Sequence, residues 1–235
     1  MLRKLALAGA SALALTLSPA IAQDAPKDAL TDPSMKGPEV IAFIGLKPGD
    51  KVADIVAGRF VRAESQAVGP TGKVYAIETA EIGKAHPELH KLMDALTAAP
   101  NSNVVPSFDP VATPLPKGLD AVFIRQNYHD LYDKFMGPAD VPAFNKAVYA
   151  ALKPGGVYVI LDHAADPSMD FTKQTEGVHR IDPARVKADV LAAGFKFDGE
   201  SKILANPADD HTLMVFNPAI KGKTDQFLYR FRKPR

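Results

Sequence analysis

Short apolar runs alternate with amphipathic stretches from residue 38 to the end of the chain. Val52-Ala53-Asp54-Ile55-Val56 is apolar apart from Asp54, the pattern of a strand buried on both faces. It follows a short predicted helix over 38–44 and the turn Lys47-Pro48-Gly49-Asp50. The next helix is predicted over 60–68, stopped by Gly69-Pro70-Thr71-Gly72, and the strand over 73–78 closes on an acid, Glu78. Leu89, Leu92, Met93 and Leu96 recur on one face and predict a helix over 87–98. Strands follow over 103–108, 119–124 and 157–161, with a helix over 141–152 before the last of these. Asp182-Pro183 supplies an N-cap and first turn for a helix whose stripe is Val186, Val190 and Leu191, and Gly194 stops it. Residues 195–204 read as a strand or extended element and 226–232 as the final strand. This succession predicts a single α/β domain over 38–235, a mostly parallel sheet with helices on both faces.

Ahead of the domain the pattern changes. Arg3 and Lys4, an apolar stretch from Leu5 to Leu17, and Ser18-Pro19-Ala20-Ile21-Ala22 stand in the order of a secretory signal peptide, with small residues before a cut after Ala22. Residues 1–22 are therefore expected to be cleaved, 23–37 to form a flexible lead-in, and the product to be exported, to a periplasm in a bacterium. No later stretch is long and apolar enough for a permanent membrane anchor. Loss of the leader moves the formal charge from +1 to −1, which offers no general surface for nucleic acid. No motif specifies a protein partner. The chain has no cysteine, which excludes disulfides, cysteine nucleophiles and thiolate metal sites.

The polar residues with chemistry gather after the predicted strands. Asn127-Tyr128-His129-Asp130 follows the fourth strand and Asp162-His163 ends the fifth, where open α/β sheets bind ligands. His129 and His163 are candidate general bases. Asp162, His163, His179 and His211 also permit a metal-dependent enzyme, since imidazole and carboxylate can bind zinc or iron, although no spacing here is a strong metal motif and no metal is predicted. A buried hydrogen-bond network is the structural alternative. His86-Pro87-Glu88-Leu89-His90 reads as a solvated surface segment, and the basic end 230–235 as a strand with a solvated tail.

Several segments, in order, resemble one family. They are Gly45-Leu46-Lys47-Pro48-Gly49, Val68-Gly69-Pro70-Thr71-Gly72-Lys73-Val74-Tyr75, Asn127-Tyr128-His129-Asp130-Leu131-Tyr132, Leu152-Lys153-Pro154-Gly155-Gly156, Asp162-His163, His179-Arg180-Ile181-Asp182-Pro183, Asn206-Pro207-Ala208-Asp209-Asp210-His211-Thr212 and Gly222-Lys223-Thr224-Asp225-Gln226-Phe227. Together they resemble the class I AdoMet-dependent methyltransferases, and more closely a bacterial family of predicted methyltransferases, some of them exported. The resemblance implies a Rossmann-like, seven-stranded sheet with its final strand antiparallel, and AdoMet across the carboxyl ends of the first strands. It implies that Asp54, Gly58 and Glu78 cradle or orient the donor, with Glu78 on the ribose hydroxyls, and that Asn127 and Tyr128 shape the adjacent pocket. His129 or His163 would then aid deprotonation of an unidentified small-molecule acceptor, with Asp130, Arg180 and His211 toward that substrate. The loop after the first strand departs from the family: it is shorter, Gly58 is its one clear close-approach glycine, and Arg59 follows. That departure keeps open an exported ligand-binding protein on a repurposed methyltransferase fold.

Overall fold

The computed structural model describes residues 27–97 and 103–235. The leader and its cleavage point lie outside the described residues, as does the last residue of the helix predicted over 87–98. Seven strands form one sheet: β1 Lys51–Ile55, β2 Lys73–Thr79, β3 Val104–Asp109, β4 Leu119–Arg125, β5 Leu152–His163, β6 Lys196–Ser201 and β7 Gln226–Arg232, in the order β3-β2-β1-β4-β5-β7-β6. β1, β2, β3, β4 and β5 pair in parallel; β7 runs antiparallel between β5 and β6. This is the expected Rossmann-like α/β architecture with its last strand reversed.

Period-two alternation along the central strands builds the two cores. Val122, Ile124, Tyr158 and Ile160 enter one, with Phe144 and Val148 of α5 (Val141–Ala151) and Val186 and Val190 of α6 (Pro183–Ala192). Ala121, Phe123, Val157, Val159 and Leu161 enter the other. There they meet Val40 and Ile44 of α1 (Gly37–Ile44), Val61 and Val68 of α2 (Val61–Val68), and Met93 of α4 (Leu89–Thr97).

Three local features differ from expectation. The described part of the 23–37 segment is docked, because buried Asp28 binds Arg62 at 2.8 Å and the Ala29 amide donates to Arg59 O. A helix not predicted, α3 (Ala80–Ala85), follows β2 directly, N-capped by the Thr79 hydroxyl, which accepts from Ile82 N. At fewer than two turns it is too short to show a periodicity. A π-helical turn over Lys173–Gly177 is likewise invisible in the pattern.

Candidate functional site

β1 and β4 are neighbours although β2 and β3 intervene in sequence, and the crevice lies at this switch point, beyond the carboxyl ends of the strands. It has a volume of ≈ 520 Å³, and its walls include Asp54, Val56, Gly58, Arg59, Glu78, Arg125 and Asn127. Expected donor residues from three separate strand ends thus meet.

Its carboxyl groups are electrostatically unusual. Glu78 is buried at the end of β2, where one oxygen accepts from the Thr79 amide at 2.9 Å. Burial raises its carboxyl to about 7 against the pull of that hydrogen bond. Asp54 is raised too, chiefly by burial and further by Glu78, against the Gly58 amide and the charge of Arg125. Behind it in α2, Glu64 is fully buried with neither carboxyl oxygen hydrogen-bonded among the described residues. Burial and Asp54 keep its proton on well above the ordinary range.

Arg125 supplies the opposite charge. Its guanidinium lies 5.7 Å over the Phe60 ring and has no hydrogen-bond partner among the described residues. Burial, then Arg59, lowers it to about 10, so it stays charged at neutral pH. A cation with unused donors beside a cavity is chemically able to pair with an anion. The loop after β1 is strained where a glycine would relieve it: Val56 sits at φ 55, a genuine outlier for a β-branched residue. Gly58 lines the crevice, and a Cβ there would meet nothing within 4 Å. Glycine there leaves the backbone open to a ligand.

A second cavity of ≈ 340 Å³ adjoins the first, with Ile82, His86, Asn127 and Phe216 lining both. Its polar wall is made by His129, Asp130, His163 and His179. Nδ1 of His129 is 2.9 Å from Asp162 Oδ1 and Nε2 is 3.1 Å from Asp130 Oδ1. Burial opposes the imidazolium, but the two carboxylates outweigh it and hold His129 protonated well above its ordinary value. Burial also works against ionised Asp130, yet His129, His179 and Asn127 hold it below the usual carboxylate range. His163 is the reverse case: burial, with further opposition from His129, Arg125 and Arg180, lowers it to about 3, although Asp162 pulls the other way. Its Nδ1 is 2.7 Å from Thr224 Oγ1. The two expected bases therefore share a cavity in different states, one charged and one neutral.

Three expected site residues lie elsewhere. Tyr128 is fully buried, its hydroxyl accepting from Asn145 of α5 at 2.8 Å, because the turn after β4 sends Asn127 to the crevice and Tyr128 into the core. Arg180 is fully buried as well. It pairs with both oxygens of Asp209 at 2.9 and 3.1 Å and donates to the carbonyls of Ala164 and Leu213, so it joins loops and is not free for substrate. His211 bonds Asp225 at 3.0 Å and lines neither cavity. Asp162 lies beneath His129, while His179 does face the cavity. Residues without an expected role join the site: Arg125, His86, and Phe216, which is 57% exposed and has its ring 5.2 Å from that of His179. A charged residue closing the apolar run of β4 was the available signal for Arg125; Phe216, on an irregular loop, had none.

An α/β sheet of this order, with a crevice at its switch point, has the fold of solved SAM-dependent methyltransferases. A SAM-dependent methyltransferase from Aquifex aeolicus is similar over 86% of this chain and 94% of its own, with TM-score 0.61 and 20% identity. A possible exported protein from Bordetella parapertussis matches 97% of this chain and 75% of its own, with TM-score 0.54 and 18% identity. Fibrillarin from Aeropyrum pernix, solved with natively bound S-adenosyl-L-methionine, matches 82% and 73%, with TM-score 0.53 and 14% identity. At these identities the likeness is one of fold. No family model and no curated protein matches the chain.

Proposed function

We propose that the chain is an AdoMet-dependent methyltransferase, with its donor in the crevice of Asp54, Glu78 and Arg125 and a small-molecule acceptor in the adjoining histidine cavity. The observation that carries this reading is one crevice holding a buried acid at the end of β2 and, at the end of β4, a guanidinium with no hydrogen bond among the described residues. The residues present fit such a cofactor. Glu78 takes the ribose hydroxyls, Arg125 the methionyl carboxylate and Asp54 the amino group, while Gly58 leaves room for close backbone approach. When bound, AdoMet supplies an electrophilic methyl carbon, and alignment with the acceptor accounts for much of the rate.

The chain's own residues do the positioning. Asn127, held by a 2.6 Å hydrogen bond to Asp130, stands on the wall between the cavities. Nε2 of neutral His163 is the proton-accepting atom for the acceptor, and such a weak base suits an acceptor that ionises readily. Asp130 and the His129 imidazolium orient it. AdoMet should raise the melting temperature in a concentration-dependent way, by several degrees at about 100 times Kd. No shift at millimolar AdoMet contradicts the reading.

Val56 in place of a glycine favours a second reading, an exported binding protein that uses Arg125 for another anionic ligand. Failure of AdoMet with binding of other anions would select it. Export itself is supported by the leader and by the similar possible exported protein; no described helix is long and apolar enough to cross a membrane. The mature chain should begin at Gln23, and recovery of residues 1–22 on the protein isolated from its native source contradicts processing.

A further inference from the structure

His129, Asp130 and His179 bring one ligand atom each to within 4.8 Å of one another on the wall of the second cavity. Nε2 of His129 lies 3.1 Å from Oδ1 of Asp130, and Nδ1 of His179 lies 3.9 Å from the same oxygen. Two atoms bound tetrahedrally to one zinc ion at about 2.0–2.1 Å are about 3.3–3.4 Å apart. The first pair lies about 0.3 Å inside that spacing and the second about half an ångström outside it, with all three ligand atoms within 4.8 Å of one another.

The support behind these atoms is that of a metal site. Asp162, fully buried, accepts from Nδ1 of His129 at 2.9 Å and so aims Nε2 at the cluster, the carboxylate–histidine–metal relay in which an outer carboxylate fixes the ring. Asn127 donates to Oδ2 of Asp130 at 2.6 Å, which leaves Oδ1 for the cluster. His179, whose side chain is 26% exposed, completes the set from the segment before α6 at φ 54, a left-handed position that a non-glycine residue holds only when its surroundings enforce it. His163 and His211 fall outside the three.

We propose that His129, Asp130 and His179 form a binding site for one divalent transition-metal cation, with its remaining coordination positions open to the cavity. Once the cation displaces the proton from His129 Nε2, two imidazoles and a carboxylate are a donor set that suits zinc and leaves a place for an exogenous ligand. An acceptor in this cavity would then be held through an oxygen on the cation, beside the donor crevice. That consequence rests on the methyltransferase reading; the cation site does not.

The test is calorimetric titration of the chelator-stripped full-length chain with Zn²⁺ alone, in the absence of AdoMet. One ion per chain is expected. His179→Asn, which tolerates the left-handed backbone, should weaken binding by at least the roughly 10–100-fold that loss of an outer-shell partner costs. His179→Gly, free of strain at that φ, should do the same. His90→Ala, on the surface against Phe108, should bind as the wild type does. Absence of stoichiometric Zn²⁺ binding, or unchanged binding in both folded His179 variants, overturns the proposal.

Discussion

Nδ1 of His129 lies 2.9 Å from Oδ1 of Asp162, and the same carboxylate accepts from the backbone amides of His129 and His163 at 3.0 and 2.7 Å. One side chain at the end of β5 thereby holds the loop after β4 in place. Asp162→Asn removes the charge and one acceptor, and should cost about 3–5 kcal/mol in urea unfolding. The His129 contribution has a definite sign. Its folded pKa is raised, so the stabilisation is fully present below about 6.5 and is lost as the pH rises through the folded value. The deficit of Asp162→Asn should therefore shrink as the pH rises through the folded value; a deficit that grows with rising pH contradicts this account.

The crevice acids give a second pH dependence. Glu78 is raised to about 7 and Asp54 is raised as well, both chiefly by burial. Their stabilisation is complete below the unfolded carboxylate range and declines as pH rises through the folded values. Stability without ligand should fall between about pH 5 and about pH 8, and Glu78→Gln should flatten part of that fall. Urea midpoints across this range measure it, and an unchanged slope in the variant contradicts it.

Arg125 and Arg180 should separate cleanly. Arg125→Met removes a half-buried cation with no hydrogen bond among the described residues, so it should weaken AdoMet while leaving 5′-methylthioadenosine, which lacks the amino-carboxylate, unaffected. Equal losses for both ligands place Arg125 away from the carboxylate.

Arg180→Met strands Asp209 in the loop that Arg180 clamps, at a cost of about 3–5 kcal/mol. Its folded fraction should bind AdoMet as the wild type does. Denaturation and binding measured on one preparation test both halves, and wild-type stability contradicts the clamp.

The apolar runs made the sheet legible, because strands buried on both faces must be almost wholly apolar and their order limits the connections. The same runs exposed Asp54 and Glu78 as acids at strand ends, and the structure puts both in the crevice. What escaped depends on direction and on distant partners. Asn127 and Tyr128 are adjacent yet point to crevice and core, which a turn decides and composition does not. Arg180 is placed toward substrate by the resemblance alone, and its partner Asp209, 29 residues on in an irregular loop, leaves no periodicity that would reveal the pair. Val56 at positive φ runs against local preference and is visible only in three dimensions.

The most direct test of the donor crevice is calorimetric titration of AdoMet into the wild-type chain and Glu78→Ala. The account predicts saturable binding of one AdoMet per chain, competed by S-adenosylhomocysteine and weakened in the variant by about 1–3 kcal/mol through loss of the ribose hydrogen bonds. No binding at millimolar AdoMet, or identical affinity in Glu78→Ala, contradicts it.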